Sequence, residues 1–171
     1  MSESPIIEFC QEFRFLSNFW PCRIQYAPSW YPTVEHAYQA AKCVNAGDAQ
    51  RIRDANGPGL AKRMGREVEM MGLARKDWPQ IKLSVMSDLL WQKFVLNSEL
   101  RARLVATGDR TLIEGNHHGD IFWGQVGNTG CNHLGNLLMR LRAVGRYLEE
   151  SKSEDQKLHV EGAGGSDSIT Y

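Results

Sequence analysis

The sequence predicts a compact single domain of the α+β class, mainly α-helical with a few short strands. Three observations lead there. The chain has 171 residues, enough for one domain and too few for two comfortable ones. Hydrophobic residues make up 42% and charged residues 23%, both near globular averages, so a packed core is expected. Helical patterns dominate from residue 33 onward, whereas proline-punctuated apolar runs are confined to residues 5–27.

Taken in order, residues 5–27 carry PIIEF, FRFLSNFWP and CRIQYAP, which read as strands or extended loops. Pro32 and Thr33 then open a helix, Pro being suited to a first turn and Thr33 to the N-cap. Gly47 is its expected stop. GDAQRIRDAN predicts a second helix closed by GPG at 57–59, and GLAKRMGREV one or two further turns between glycines. The clearest helix is WPQIKLSVMSDLLWQKFVLN, residues 78–97. Ile81, Val85, Met86, Leu89, Leu90, Phe94 and Val95 recur there at the helical period. SELRARLVATG adds a shorter helix, capped by Ser98 and ended by Gly108, and RTLIEGN a strand. HHGDIFWGQVGNTGCN is too rich in Gly and Asn for regular structure. HLGNLLMRLRAVGRYLEE closes the domain as a helix with Leu134, Leu137, Leu138, Leu141 and Leu148 on one face. The domain is expected to span residues 1–149. Residues 150–171, with few large apolar side chains and no period, are expected to form a disordered tail.

Charge and cysteines narrow the setting. Lys+Arg and Asp+Glu both number 20, so no global field draws the protein to nucleic acid or membrane, and any polyanion site must be local. Cys10, Cys22, Cys43 and Cys131 form no CxxC pair and read as free thiols of a reducing compartment. The N-terminus shows no basic region followed by a long apolar run, and no window is long and apolar enough to span a bilayer. A soluble, cytoplasmic protein is expected, without membrane attachment or an obligatory protein partner.

Three stretches could carry chemistry. In YPTVEHAYQAAKC, Glu35, Gln39 and Lys42 are spaced by four and three and share one stripe of a helix, beside an apolar stripe. Pattern alone makes this an ordinary surface helix with a first-turn Glu and a late Lys. Yet Glu35 and Lys42 stand ~10 Å apart along the helix axis at 1.5 Å rise, too far to pair. Both heads can lean toward a small ligand between them. In EGNHHGDIFWGQVGNTGCN, Gly124, Gly127 and Gly130 precede a helix, where a phosphate could meet backbone N–H groups. The pattern is no established phosphate fingerprint, and a plain surface loop is the simpler reading. Asp120 and Trp123 add an ionisable group beside a stacking ring. His117 and His118 lack metal-ligand spacing, so no metal is expected. Finally, Lys62, Arg63 and Arg66 form a basic cluster, either a solvated face or a phosphate clamp. Phe13, Phe15, Phe19, Trp20 and Tyr26 read as core, whereas Ser17 and Asn18 between them are free to hydrogen-bond a ligand.

These stretches together resemble one family. FLSNFWP, YPTVEHAYQAAK, AKRMGR, DWPQIKLSVMSDLLWQKF, LVATG, LIEGNHHGDIFWG and GCNHLGNLLMRLR occur in the order found in the NADAR family, which includes the bacterial YbiA-like proteins. The resemblance covers about residues 7–148 and implies a YbiA-like fold with N-glycosidase chemistry. It implies two substrate types: ADP-ribose on modified guanine in nucleic acid or nucleotide, and ribosylamine-phosphate intermediates of riboflavin biosynthesis. Both present a C–N bond at the anomeric carbon of a phosphorylated ribose. The family's Glu and Lys map onto Glu35 and Lys42, and its loop Asp onto Asp120, as the catalytic set. Ser17, Asn18, Phe19, Gln39, Arg63, Arg66, Trp123, Gly124 and Asn132 become the substrate-binding set. Two positions depart from common family usage: Gln125, often Asp, and Cys43, often Phe. They bear on substrate preference rather than on the reaction class.

Cleaving such a bond builds positive charge on the sugar, which ionised carboxylates stabilise while an acid protonates the leaving base. Glu35 and Asp120 are expected to divide these roles, in an order the sequence leaves open. Lys42 has two readings, a cation for phosphate or leaving group, or a neutral amine forming a Schiff base with the opened sugar. No cofactor is required. ADP-ribosyl-guanine is the expected substrate, with the riboflavin intermediates as the alternative. A non-catalytic ADP-ribose or NAD reader is the rival of a different class, but it has no need of Glu35, Asp120 and Lys42 together.

Overall fold

The computed structural model describes residues 3–163, with side chains described through 153. A 3-10 turn at Gln11–Leu16 leads into an antiparallel hairpin of β1 (Pro21–Tyr26) and β2 (Ser29–Thr33). Six α-helices follow among the described residues: α1 (Val34–Ala40), α2 (Ala46–Arg53), α3 (Pro58–Met70), α4 (Trp78–Trp91), α5 (Ser98–Val105) and α6 (His133–Ala163). A π-helical turn, Gln92–Leu96, continues α4. The α+β, mainly helical class expected from the sequence is the observed one.

Every residue of α1 is buried, and so are Ala41 and Lys42 beyond its end. The hairpin, α2, α3 and α4 pack around it. A buried helix must satisfy its ends internally. At the start, Thr33 caps with its hydroxyl accepting from the His36 amide, and the Glu35 amide donates to the Asn18 carbonyl at 3.1 Å. At the other end the Lys42 carbonyl accepts from the Arg75 amide at 2.8 Å. His36 ties α1 sideways, its ring nitrogens bonding Thr33 Oγ1 and the Ala55 carbonyl. The surface-helix reading of this stretch therefore fails.

The core forms where the periodic faces meet. Val85, Met86, Leu89 and Leu90 of α4, Phe94 and Val95 of the π turn, and Leu134, Leu138 and Leu141 of α6 are all buried, against Leu16, Ile24, Val34 and Leu112. Burial of such a side chain contributes ~1.5–3 kcal/mol before entropy is counted. The strand expected at RTLIEGN is reduced to two isolated parallel bridges, Leu112 beside Ile6 and Gly115 beside Gln125, with the Ile113 amide donating to the Ile6 carbonyl.

Element ends differ from expectation for local reasons. Pro32 belongs to β2 rather than to a first helical turn. Gly47 lies in the first turn of α2 rather than stopping α1, because the Asn45 side chain accepts from its amide as a cap. Gly57 and Pro58 open α3 instead of only closing α2. The α5 cap is Asn97, which accepts from the Leu100 amide, not Ser98. The tail expected from residue 150 is helical as far as Ala163. Lys, Glu and Gln there are good helix formers extending a helix already anchored in the core. Residues 164–171 of that expected tail lie outside the described residues. No helix among the described residues is long and apolar enough to cross a membrane.

Candidate active site

α1 forms the floor of a cleft of about 480 Å³, walled by α3, the start of α4, the Ser17–Phe19 turn and the loop at 114–123. Glu35, Gln39 and Lys42 line it, and so do Ser17, Asn18, Phe19, Arg66, Asp120 and Trp123. The proposed catalytic trio thus converges from two separate parts of the chain. A more open groove of about 710 Å³, lined by residues of α2 and α3 such as Asp48, Arg51 and Met64, contains none of the buried ionisable side chains.

Glu35 and Lys42 do not pair, as their spacing predicts. Glu35 Oε1 accepts from Gln39 Nε2 at 2.7 Å. Burial pushes its carboxyl above the usual range, against the hydrogen bond from Gln39 and the attraction of Lys62, Lys42 and Arg66. Lys42 Nζ lies 3.0 Å from Glu69 Oε2 and within 6 Å of the Tyr38 and Trp78 rings. Burial lowers its pKa, while Glu69 and then Glu35 favour the ammonium. This is the balance that keeps a lysine within reach of its neutral, nucleophilic form.

Asp120 is oriented by its own loop. Its amide donates to Asn116 Oδ1, and its Oδ1 accepts from the amides of Phe122 and Trp123 at 3.1 and 2.9 Å. Trp123 is wedged edge-on between Tyr38 and Phe122. Asn18 donates to Met86 Sδ, while its Oδ1 is buried without a partner among the described residues. Ser17 Oγ accepts from the Phe19 amide, and the Ser17 carbonyl accepts from buried Lys93 at 2.6 Å.

Three expected substrate-binding residues lie elsewhere. Arg63 sits a quarter-turn off the cleft face of α3, its side chain 71% exposed beside Glu67. Lys62 and Arg66, one helical turn apart, share the cleft face instead. Gly124 supports close approach of protein rather than ligand: a Cβ there would stand 2.0 Å from the Glu114 carbonyl. Asn132, held at φ 50°, donates to the Leu112 carbonyl and accepts from the Glu114 amide. The glycine loop offers no phosphate cradle at the start of α6. The amides of Cys131, Asn132, His133 and Leu134 already donate to carbonyls of residues 121–124.

Glu69, Lys82 and Glu114, which no sequence motif singles out as site residues, also line the cleft, and so does His118. Lys82 of α4 rests 3.5 Å above the Phe122 ring. The adjacent histidines diverge: His117 reaches outward to Glu8, 3.5 Å away, and His118 faces the cleft. The one available signal for Glu69 was its position seven residues after Lys62, on the same side of α3.

Comparison with known proteins identifies the family. The model of the NADAR domain matches residues 8–144. Over 129 residues the chain is 41% identical to the N-glycosidase YbiA of Shigella boydii, covering 74% of this chain and 78% of that one. It is 38% identical over 129 residues to a riboflavin biosynthesis protein of Vibrio vulnificus, matching 75% of this chain but 34% of that longer protein. The NMR structure of the E. coli protein YbiA superposes with a TM-score of 0.70 at 32% identity, over 99% of this chain and 94% of that one.

Proposed function

The chain belongs to the NADAR domain family and is an N-glycosyl hydrolase, and from that premise we propose that it cuts the bond between a base and the anomeric carbon of a phosphorylated ribose. The observation that carries this reading is the convergence of Glu35, Lys42 and Asp120 on one cleft that also holds Lys62, Arg66 and Lys82. The carboxylates meet the positive charge that develops on the sugar, and the cations hold phosphate. The unpartnered Asn18 Oδ1 suits a ribose hydroxyl. Trp123 supplies flat apolar surface for the base. A non-catalytic reader would bury Glu35 and Lys42 at a cost with no return in chemistry.

Within this class, ADP-ribose on guanine, in DNA or nucleotide, is the preferred substrate. Similarity to the Vibrio protein favours a second reading, ribosylamine phosphates of riboflavin biosynthesis. Four free cysteines suit a reducing, cytoplasmic setting. The test is a parallel assay on ADP-ribosylated guanine DNA, the ribosylamine phosphates and NAD, with Glu35→Ala, Lys42→Ala and Asp120→Ala. Release of free base from at least one substrate, lost in all three variants, is expected. Binding without turnover on every substrate would leave only the reader.

A further inference from the structure

Glu114 is fastened at both its amide and its carbonyl, yet its side chain makes no hydrogen bond among the described residues. Its amide donates to Asn132 Oδ1 at 3.0 Å, and its carbonyl accepts from the Gln125 amide at 2.9 Å. Gly124 lets that carbonyl approach, and at the next residue a Cβ on Gly115 would stand 2.1 Å from the Ile7 carbonyl. All this fastening holds a side chain that lines the cleft with Glu35 and Asp120. Its Oε2 is buried without a partner among the described residues. A purely structural glutamate would use its carboxyl to bind something; an unpartnered buried carboxylate only costs stability.

We infer that Glu114 is a third catalytic carboxyl, the proton donor to the departing base; this rests on the hydrolase reading above. As the glycosidic C–N bond breaks, its electron pair passes to the base nitrogen, which takes the proton from Glu114. Water then adds its oxygen to the anomeric carbon and surrenders a proton to the Glu114 carboxylate, restoring the acid. Glu35 and Asp120 are left to meet the charge on the sugar; burial raises the Glu35 carboxyl, and the Gln39 hydrogen bond with Lys62, Lys42 and Arg66 works against that rise.

The surroundings agree with this role. Burial pushes the Glu114 carboxyl up to about 7, so that a substantial share of it keeps its proton near neutral pH. Charged groups face it from each side: Asp120 from its loop and Glu35 from α1 reinforce the rise, while Lys62 from α3 and Lys93 from the π turn oppose it.

The test is Glu114→Gln, which keeps size and shape. With whichever substrate the wild type turns over, kcat is expected to fall by about 10²–10⁴-fold with KM little changed. The wild-type decline of kcat as pH rises through about 7 should vanish in the variant. Independently of activity, ¹³C NMR of carboxyl-labelled glutamate should show a carboxyl titrating near neutrality in the wild type that is missing from Glu114→Gln. Wild-type kcat in the variant, an unmoved alkaline limb, or no near-neutral carboxyl lost in the variant would each overturn the assignment alone. A wild type inert on every N-ribosyl substrate would overturn the hydrolase reading, and this role with it.

Discussion

Lys42 and Glu69 form an ion pair between the end of α1 and the end of α3, Nζ to Oε2 3.0 Å, with side chains 6% and 41% exposed. The pair is lopsided: the cation is buried and its partner borders solvent. Glu69 therefore sets how much of the burial penalty Lys42 feels. Glu69→Gln removes the largest influence favouring the ammonium, so the Lys42 pKa should fall further below its ordinary value. The pH dependence of Lys42 labelling by an amine-selective reagent would move to lower pH. The linkage sign follows: a lysine depressed in the folded state costs stability when protonated. The deficit of the variant should thus shrink as pH rises past the lowered pKa toward 10.5. If the Schiff-base route operates, borohydride with substrate should trap Lys42 at lower pH in the variant.

Gly65 is where α3 crosses Gln39. A Cβ there would stand 1.9 Å from Gln39 Oε1 and 2.9 Å from Gln39 Cβ. Alanine in a helix interior is ordinarily worth about 1 kcal/mol over glycine. Here overpacking should outweigh that, for a net loss of about 1–2 kcal/mol in a urea melt. Activity should fall more than stability explains, because displacing Gln39 releases its hold on Glu35.

The basic face divides cleanly. Lys62→Ala and Arg66→Ala should each raise KM for a phosphorylated substrate about tenfold or more, by loss of a charge-assisted hydrogen bond. Arg63→Ala should stay within about twofold, as expected of an exposed helix charge. Steady-state kinetics at two ionic strengths would separate them, the salt effect shrinking in the first two variants.

Glu114 also makes a stability prediction. Its folded pKa of about 7 lies above its ordinary value of 4.5, so its stabilising share is intact below 4.5 and lost as pH rises through 7. Glu114→Gln lacks that loss. At pH 8 the variant should exceed the wild type by up to about 3 kcal/mol in denaturant unfolding, and the two should converge near pH 4. A more stable yet less active variant is what a site that stores cost for function produces.

Much of the fold was legible because periodicity reports packing directly. The faces of α4 and α6 read from Val85, Leu89, Leu138 and Leu141 are the buried ones. The polar stripe of α1 misled on periodicity alone, since Glu35, Gln39 and Lys42 on a helix ordinarily mean solvent. Only the ordered motifs argued otherwise. Gly124 and Asn132 were placed at the right loop but with the wrong partner, because glycine admits any close approach, whether of ligand or of carbonyl. Glu114 stood at the junction of a stretch read as a strand and one read as a loop, where a single acid carries no pattern. Its surroundings come from residues 6–7, 124–125 and 132, and only the folded chain brings them together.

The burial of α1 on every face has a bearing on how such a protein changes its diet over time. Val34 to Lys42 have no surface on which neutral substitutions can accumulate. Drift toward a new substrate must then act through the ring of positions around that helix, such as Lys62, Arg66, Lys82, His118 and Phe122, which border solvent. Libraries aimed at altered selectivity should randomise that ring and leave the central helix untouched.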